Sequence, residues 1–180
     1  MPAVTYLIQN SAQNTTAAPV KQPTGTAIRT MVQLAPLVSS FPVRIIEWGF
    51  SLDSYATAGQ VELFGCTGAA TMTTAYAAAD VMLWGDRLNT PANTAGTSGS
   101  PLSLGTALSG FATTSVTEGT VANTRMFDLQ LDPQGPYVKQ YPLGREPQIG
   151  GNSATQEFLR CRMTFGTSVN AYIYVILEVL

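Results

Sequence analysis

The stretch EFLRCRMTF, residues 157–165, constrains the fold more than any other in this chain. Side chains along a β-strand point alternately to opposite faces. Phe158, Arg160, Arg162 and Thr164 therefore share one face, and Leu159, Cys161, Met163 and Phe165 share the other. Similar short, β-branched or apolar runs recur along the chain: TAIRTMVQL, VRIIEWGFSL, VELF, TTSVTEGT, TRMFDLQLD, PYVKQYPL and AYIYVILEVL. Pro, Gly, Ser and Asn punctuate the joins between them. TRMFDLQLD and PYVKQYPL read as a strand pair, and GTSVN reads as the turn that makes AYIYVILEVL the hairpin partner of EFLRCRMTF.

One segment breaks the rhythm. In TMTTAYAAADVMLWG, residues 71–85, Met72, Ala75, Tyr76, Ala79 and Leu83 follow helical spacing, with Thr71 placed to cap the start and Gly85 to end it. The spacing predicts one short helix, with a strand at VMLW as the alternative. Some eight strands with one helix and no βαβ alternation point to an all-β chain, an antiparallel β-sandwich of jelly-roll type, with a small barrel as the alternative. Residues 1–25 are polar and proline-punctuated and read as an extended N-terminal arm or a disordered terminus. Residues 26–180 form the β-sandwich domain, with a long Gly/Ser/Thr-rich loop at 89–110.

Composition narrows the function classes. The 180 residues are 45% hydrophobic but only 11% charged, less than half the usual share, so the surface is neutral and polar, as at surfaces covered by neighbouring molecules. There is no histidine, which removes Ser-His and Cys-His nucleophile pairs and the commonest general base. The nine basic residues are scattered and the net charge is −2, which argues against nucleic-acid binding. AYIYVILEVL is too short to span a bilayer and carries Glu178, and no signal peptide is visible at the start, so no membrane partner is expected. Cys66 and Cys161 are expected as two small buried side chains, or else as a single bridge, and no cofactor or metal site is expected.

Within RIIEWGFSLD, residues 44–53, period two puts Arg44, Ile46, Trp48, Phe50 and Leu52 on a core face and Glu47 on the more polar one. A cross-strand arginine, Arg160 or Arg162, is the expected structural partner of Glu47. A hydrolase built on two carboxylates would use Glu47 and Glu62 across a cleft of roughly 5–10 Å. A carbohydrate-binding β-sandwich would use Tyr55, Trp84 or Tyr137 as stacking platforms. The loop GREP, residues 144–147, presents Arg145 for bidentate recognition of a partner's carboxylate, unless Glu146 satisfies it within the turn.

At RIIEWGFSLD, YVKQYPLGREPQI and RCRMTFGTSVNAYIYVILE the chain resembles small structural proteins of tailed bacteriophages. The resemblance covers the second strand and the C-terminal quarter well and residues 66–122 poorly. It implies a virion component, a capsid decoration or cement protein on the shell surface, assembled in the host cytoplasm, without enzymatic activity. Its implied partners are the major capsid protein and its own copies, as a trimer. The expected contact residues are Arg145 and Glu146 of the GREP loop together with Lys21 and Gln22 of the arm.

Overall fold

The apolar faces of the alternating strands meet between two antiparallel β-sheets. The computed structural model describes residues 4–12, 18–36, 42–54, 58–83, 104, 106–121, 125–131, 136–150 and 155–180. In chain order the strands are β1 (Val4–Gln9), β2 (Gln22–Pro23), β3 (Arg29–Leu34), β4 (Val43–Leu52), β5 (Gly59–Cys66), β6 (Thr74–Ala75), β7 (Met82–Leu83), β8 (Gly110–Phe111), β9 (Arg125–Leu131), β10 (Tyr137–Gln140), β11 (Gln148–Ile149), β12 (Phe158–Phe165) and β13 (Asn170–Val179). The first sheet runs β10-β4-β13-β1-β7, with β11 also on β4 and β2 also on β13. The second runs β6-β8-β3-β12-β5-β9. The protein is all-β, with no α-helix among the described residues.

Strands adjacent in sequence mostly lie in opposite sheets. β3 lies in the second sheet, β4 in the first, β5 in the second, and β12 and β13 divide the same way. This overturns two local pairings expected from the sequence. β9 pairs with β5 and β10 with β4, so TRMFDLQLD and PYVKQYPL are not partners. β12 and β13 are likewise not a hairpin: residues 166–169 carry the chain from one sheet to the other, and β13 pairs with β1 and β4. The predicted faces of β12 do hold. Leu159, Cys161, Met163 and Phe165 join Met31, Leu63, Trp48, Ile173 and Val175 in one buried core fed by both sheets.

β4 departs from simple alternation. Its register with β13 shifts between Ile176, opposite Glu47, and Leu177, opposite Ile45, leaving Ile46 as an extra residue. Such a bulge reverses the parity of the strand. Val43 and Ile45 on one side of it and Trp48 and Phe50 on the other all reach the core, whereas Arg44 points outward and pairs with Glu178. Strict period two, without the bulge, puts Arg44 and Ile46 with Trp48.

The helix expected over 71–85 is not formed. Thr74–Ala75 pairs with β8 and Met82–Leu83 with β1, and between them the Asp80 carboxylate accepts from the Ala77 N–H at 2.9 Å, closing a single 3-10 turn at Ala78–Asp80. A short acidic side chain that bonds the backbone locally competes with helical bonding. Tyr76 is fully buried in the core, and its hydroxyl donates to the Gln9 carbonyl at 2.6 Å. Of the loop expected at 89–110, residues 89–103 and 105 lie outside the described residues, and Leu104 is buried in the core.

The segment expected to be an arm also belongs to the body. Val4–Gln9 lies between β13 and β7, and Ile8 is wholly buried. Asn10 extends this attachment, donating to the Ala171 carbonyl and accepting from the Ile173 N–H, both at 2.9 Å. The polar runs 9–11 and 13–16 give this stretch a loop-like composition, although Val4–Gln9 itself is a strand.

Candidate functional site

The edge of the first sheet is built from β10 and β11, both bonded to β4, with residues 141–147 leaving the sheet between them. The Tyr141 N–H donates to the Ile46 carbonyl at 3.0 Å, and the Ile45 N–H donates to the Pro147 carbonyl at 2.9 Å. Both ends of the excursion are thus clamped on consecutive residues of β4, at its bulge. Within it the Arg145 N–H donates to the Pro142 carbonyl at 2.9 Å, and Gly144 has φ of 80°, the left-handed geometry a type II turn needs at that position. The Glu146 carboxylate accepts from the Gly144 N–H at 2.8 Å. The result is a rigid turn whose tip is Leu143, 92% exposed, followed by an exposed Arg145.

Glu146 therefore serves the turn backbone and leaves the Arg145 guanidinium without a partner among the described residues. The other two expected contact residues lie elsewhere. Gln22 is buried in β2 opposite Ala171, and its amide donates to the Val20 carbonyl at 3.1 Å. Lys21 is exposed, near enough to Asp53 to lower that carboxyl below its usual range, an effect dominated by the hydrogen bond from Asn170. β2 meets the start of β13, while the 141–147 turn lies beyond β4 and level with Ile176 and Leu177, five or six residues along β13, so Lys21 and Arg145 are separated by roughly 15–20 Å along the strand direction alone.

The expected pairing of Glu47 with Arg160 or Arg162 does not occur, because β4 and β12 belong to different sheets. Arg162 Nε donates to Glu62 Oε2 at 3.0 Å, and a second guanidinium nitrogen reaches the same oxygen. Arg160 pairs with Glu118 and donates to Thr30 Oγ at 3.1 and 2.6 Å. Both guanidinium groups lie over the Phe64 ring, at 5.4 Å for Arg160 and 4.7 Å for Arg162. Arg160 is 0% exposed and Glu62 2%. The outer face of the second sheet thus carries a largely buried ionic cluster, closed by the segment around Glu118, whose charges pair with one another.

Glu47 lies on the outer face of the first sheet and accepts from the Tyr174 hydroxyl at 2.6 Å. The two carboxylates expected to face each other across a cleft occupy opposite outer surfaces of the sandwich, with the core between them. Sheets pack about 10 Å apart before side chains on the far faces are added, so Glu47 and Glu62 do not act on one bond.

Of the three aromatic residues expected as stacking platforms, Tyr55 and Trp84 lie outside the described residues. Tyr137 turns inward, its ring centroid 5.7 Å from Trp48 and 5.5 Å from Phe50. The aromatic pair on an open face is instead Tyr172 and Tyr174 of β13, both half-buried. Period two in AYIYVILEVL puts them on one face, and the glycine inside the strand RIIEWGFSL marks a close approach. No protein-family model, curated protein or solved structure matches the chain.

Proposed function

We propose that the protein is a non-enzymatic virion component, a capsid decoration protein whose jelly-roll-type body self-associates, as a trimer, and docks on the major capsid lattice. The observation that carries this reading is the clamped turn at 142–145. A nearly fully exposed leucine beside an uncommitted arginine, on backbone held at both ends, has the chemistry of an interface anchor: little ordering entropy remains to be lost, and arginine is enriched where interfaces gain most. Leu143 would enter an apolar pocket and Arg145 would form a forked pair with a carboxylate on the shell subunit.

The rest of the molecule agrees with this reading. The low charge content suits surfaces that end up covered. The buried arginines and glutamates are consumed internally, which leaves the body with a stabilising role for them and the turn with the binding role. Many identical copies on a symmetric shell add stability by mass action, each contact strengthened by the effective concentration of its neighbours.

The test is occupancy of expanded shells of the encoding virus that lack this protein, measured by co-sedimentation. Wild-type protein should saturate them. The double variant Leu143→Ala, Arg145→Ala should lose about tenfold or more in affinity, as removal of an anchor of roughly 1.4 kcal/mol or above implies. Wild-type protein that leaves the shells bare, or a double variant that fills them equally well, would refute the proposal. Deleting residues 1–25 is not a suitable test, because it removes β1 from the interior of the first sheet.

A further inference from the structure

We propose that the outer face of the first sheet, at Tyr172 and Tyr174, is a carbohydrate-binding site. The two rings stand two residues apart on one face of β13, a spacing of about 7 Å. Tyr174 is opposite Gly49 in register, and a Cβ at Gly49 would lie 2.7 Å from Cε1 and 2.9 Å from Cζ of the ring. The ring therefore lies across β4 in the room that glycine leaves. Its far end is fixed by the hydroxyl, which donates to Glu47 Oε1 at 2.6 Å.

A ring laid on a sheet and held at its tip is a rigid, partly exposed plate, with few rotamers left to lose on binding. Polar groups edge the plate. Glu47 Oε2 has no hydrogen-bond partner among the described residues, the exposed Gln140 lies opposite Glu47 in register, and Ser51 lies opposite Tyr172. An apolar plate rimmed by an acceptor, an amide and a hydroxyl matches a pyranose, whose C–H face stacks while its equatorial hydroxyls reach sideways. An anionic ligand fits poorly, since Arg44 on the same face is committed to Glu178. A second copy of the chain would have to bury the spare Glu47 oxygen, which costs more than the flanking apolar contacts return unless it finds a donor.

The site is tested by titrating isotopically labelled wild-type protein with cellohexaose, maltohexaose and chitohexaose and following backbone amide resonances. At least one sugar should shift residues 47–51 and 172–174 saturably. Tyr174→Ala should weaken binding about tenfold. Gln140→Ala, which alters an exposed edge side chain and leaves the fold intact, should weaken it about threefold or more. The proposal is overturned if none of the three sugars shifts these residues, if Gln140→Ala binds as wild type, or if the same amides move with protein concentration alone, which would assign the face to self-association.

Discussion

Arg162 Nε lies 3.0 Å from Glu62 Oε2 on the adjacent strand, and both side chains are almost entirely shielded from water. The pair is opposite in register, Arg162 on β12 and Glu62 on β5, and the Phe64 ring closes one side of it. Removing one member leaves a buried charge uncompensated. Arg162→Met should therefore cost about 3–5 kcal/mol in urea unfolding, and adding Glu62→Leu should restore most of that loss. A double variant as unstable as the single one would show that packing, not charge, accounts for the effect.

Glu118 fastens the segment around it to the second sheet. Its carboxylate accepts from Thr30 Oγ at 2.7 Å and pairs with Arg160. Glu118→Ala is expected to lower stability by about 1–3 kcal/mol and to accelerate hydrogen exchange at residues 113–121 before the rest of the sheet opens. Exchange that speeds up uniformly across the protein would mean that this segment does not open as a separate unit.

The protein should lose stability in alkali. Burial pushes the hydroxyl of Tyr76 well above the ordinary tyrosine range, and burial followed by the Glu47 carboxylate does the same for Tyr174. In the unfolded chain both ionise near pH 10, in the folded protein only at higher pH. Between those points the unfolded state binds fewer protons, so stability that is complete below about pH 10 falls as pH rises through the folded values. The phenolate absorbance of Tyr76 and Tyr174, taken as the difference between wild type and the Tyr76→Phe and Tyr174→Phe variants, should appear together with loss of strand signal in circular dichroism, not ahead of it.

Cys161 should behave as a core residue and not as a reagent. Burial, with the Glu62 charge as a second cause, raises its thiol to about 12, and no thiolate forms at neutral pH. Alkylation by iodoacetamide should proceed only through opening, with a rate that rises in step with urea. Rapid labelling of the native protein at Cys161 would contradict the placement of its side chain.

At the exposed turn, stability and binding should separate. Leu143→Ala and Arg145→Ala should each alter unfolding free energy by less than about 0.5 kcal/mol, since neither side chain packs on the body. Urea unfolding of the same preparations used for shell occupancy decides this. A large loss of stability would assign the turn to the fold instead.

Strand identity was legible wherever one face is apolar and the other is not, as in EFLRCRMTF, and so was the all-β class. Pairing was not. Period two says which side chains share a face but nothing about which sheet a strand joins, and in this chain the neighbours in sequence are mostly placed in opposite sheets. That is why Glu47 was expected beside Arg160 and Arg162, whose true partners, Glu118 and Glu62, come from a loop and from β5. The bulge at Ile46 was invisible for the same reason: it exists only relative to β13. The helical spacing at 71–85 was real as a pattern, but backbone bonds to β8 and β1 outweigh helix propensity there. The GREP turn was the most legible feature of the candidate site, because Pro and Gly state local geometry directly.

β1 has β13 as its long neighbour, so Asn10 and Ala171, which share a hydrogen bond, are 161 residues apart. During synthesis at about 5–20 residues per second, β1 waits roughly 10–30 s for β13 to be made. Until then a row of open backbone groups from Val4 to Gln9 is available to any passing strand. Closure of the first sheet therefore waits on β13, and chains whose β1 is still unpaired are the stage at which aggregation competes with folding.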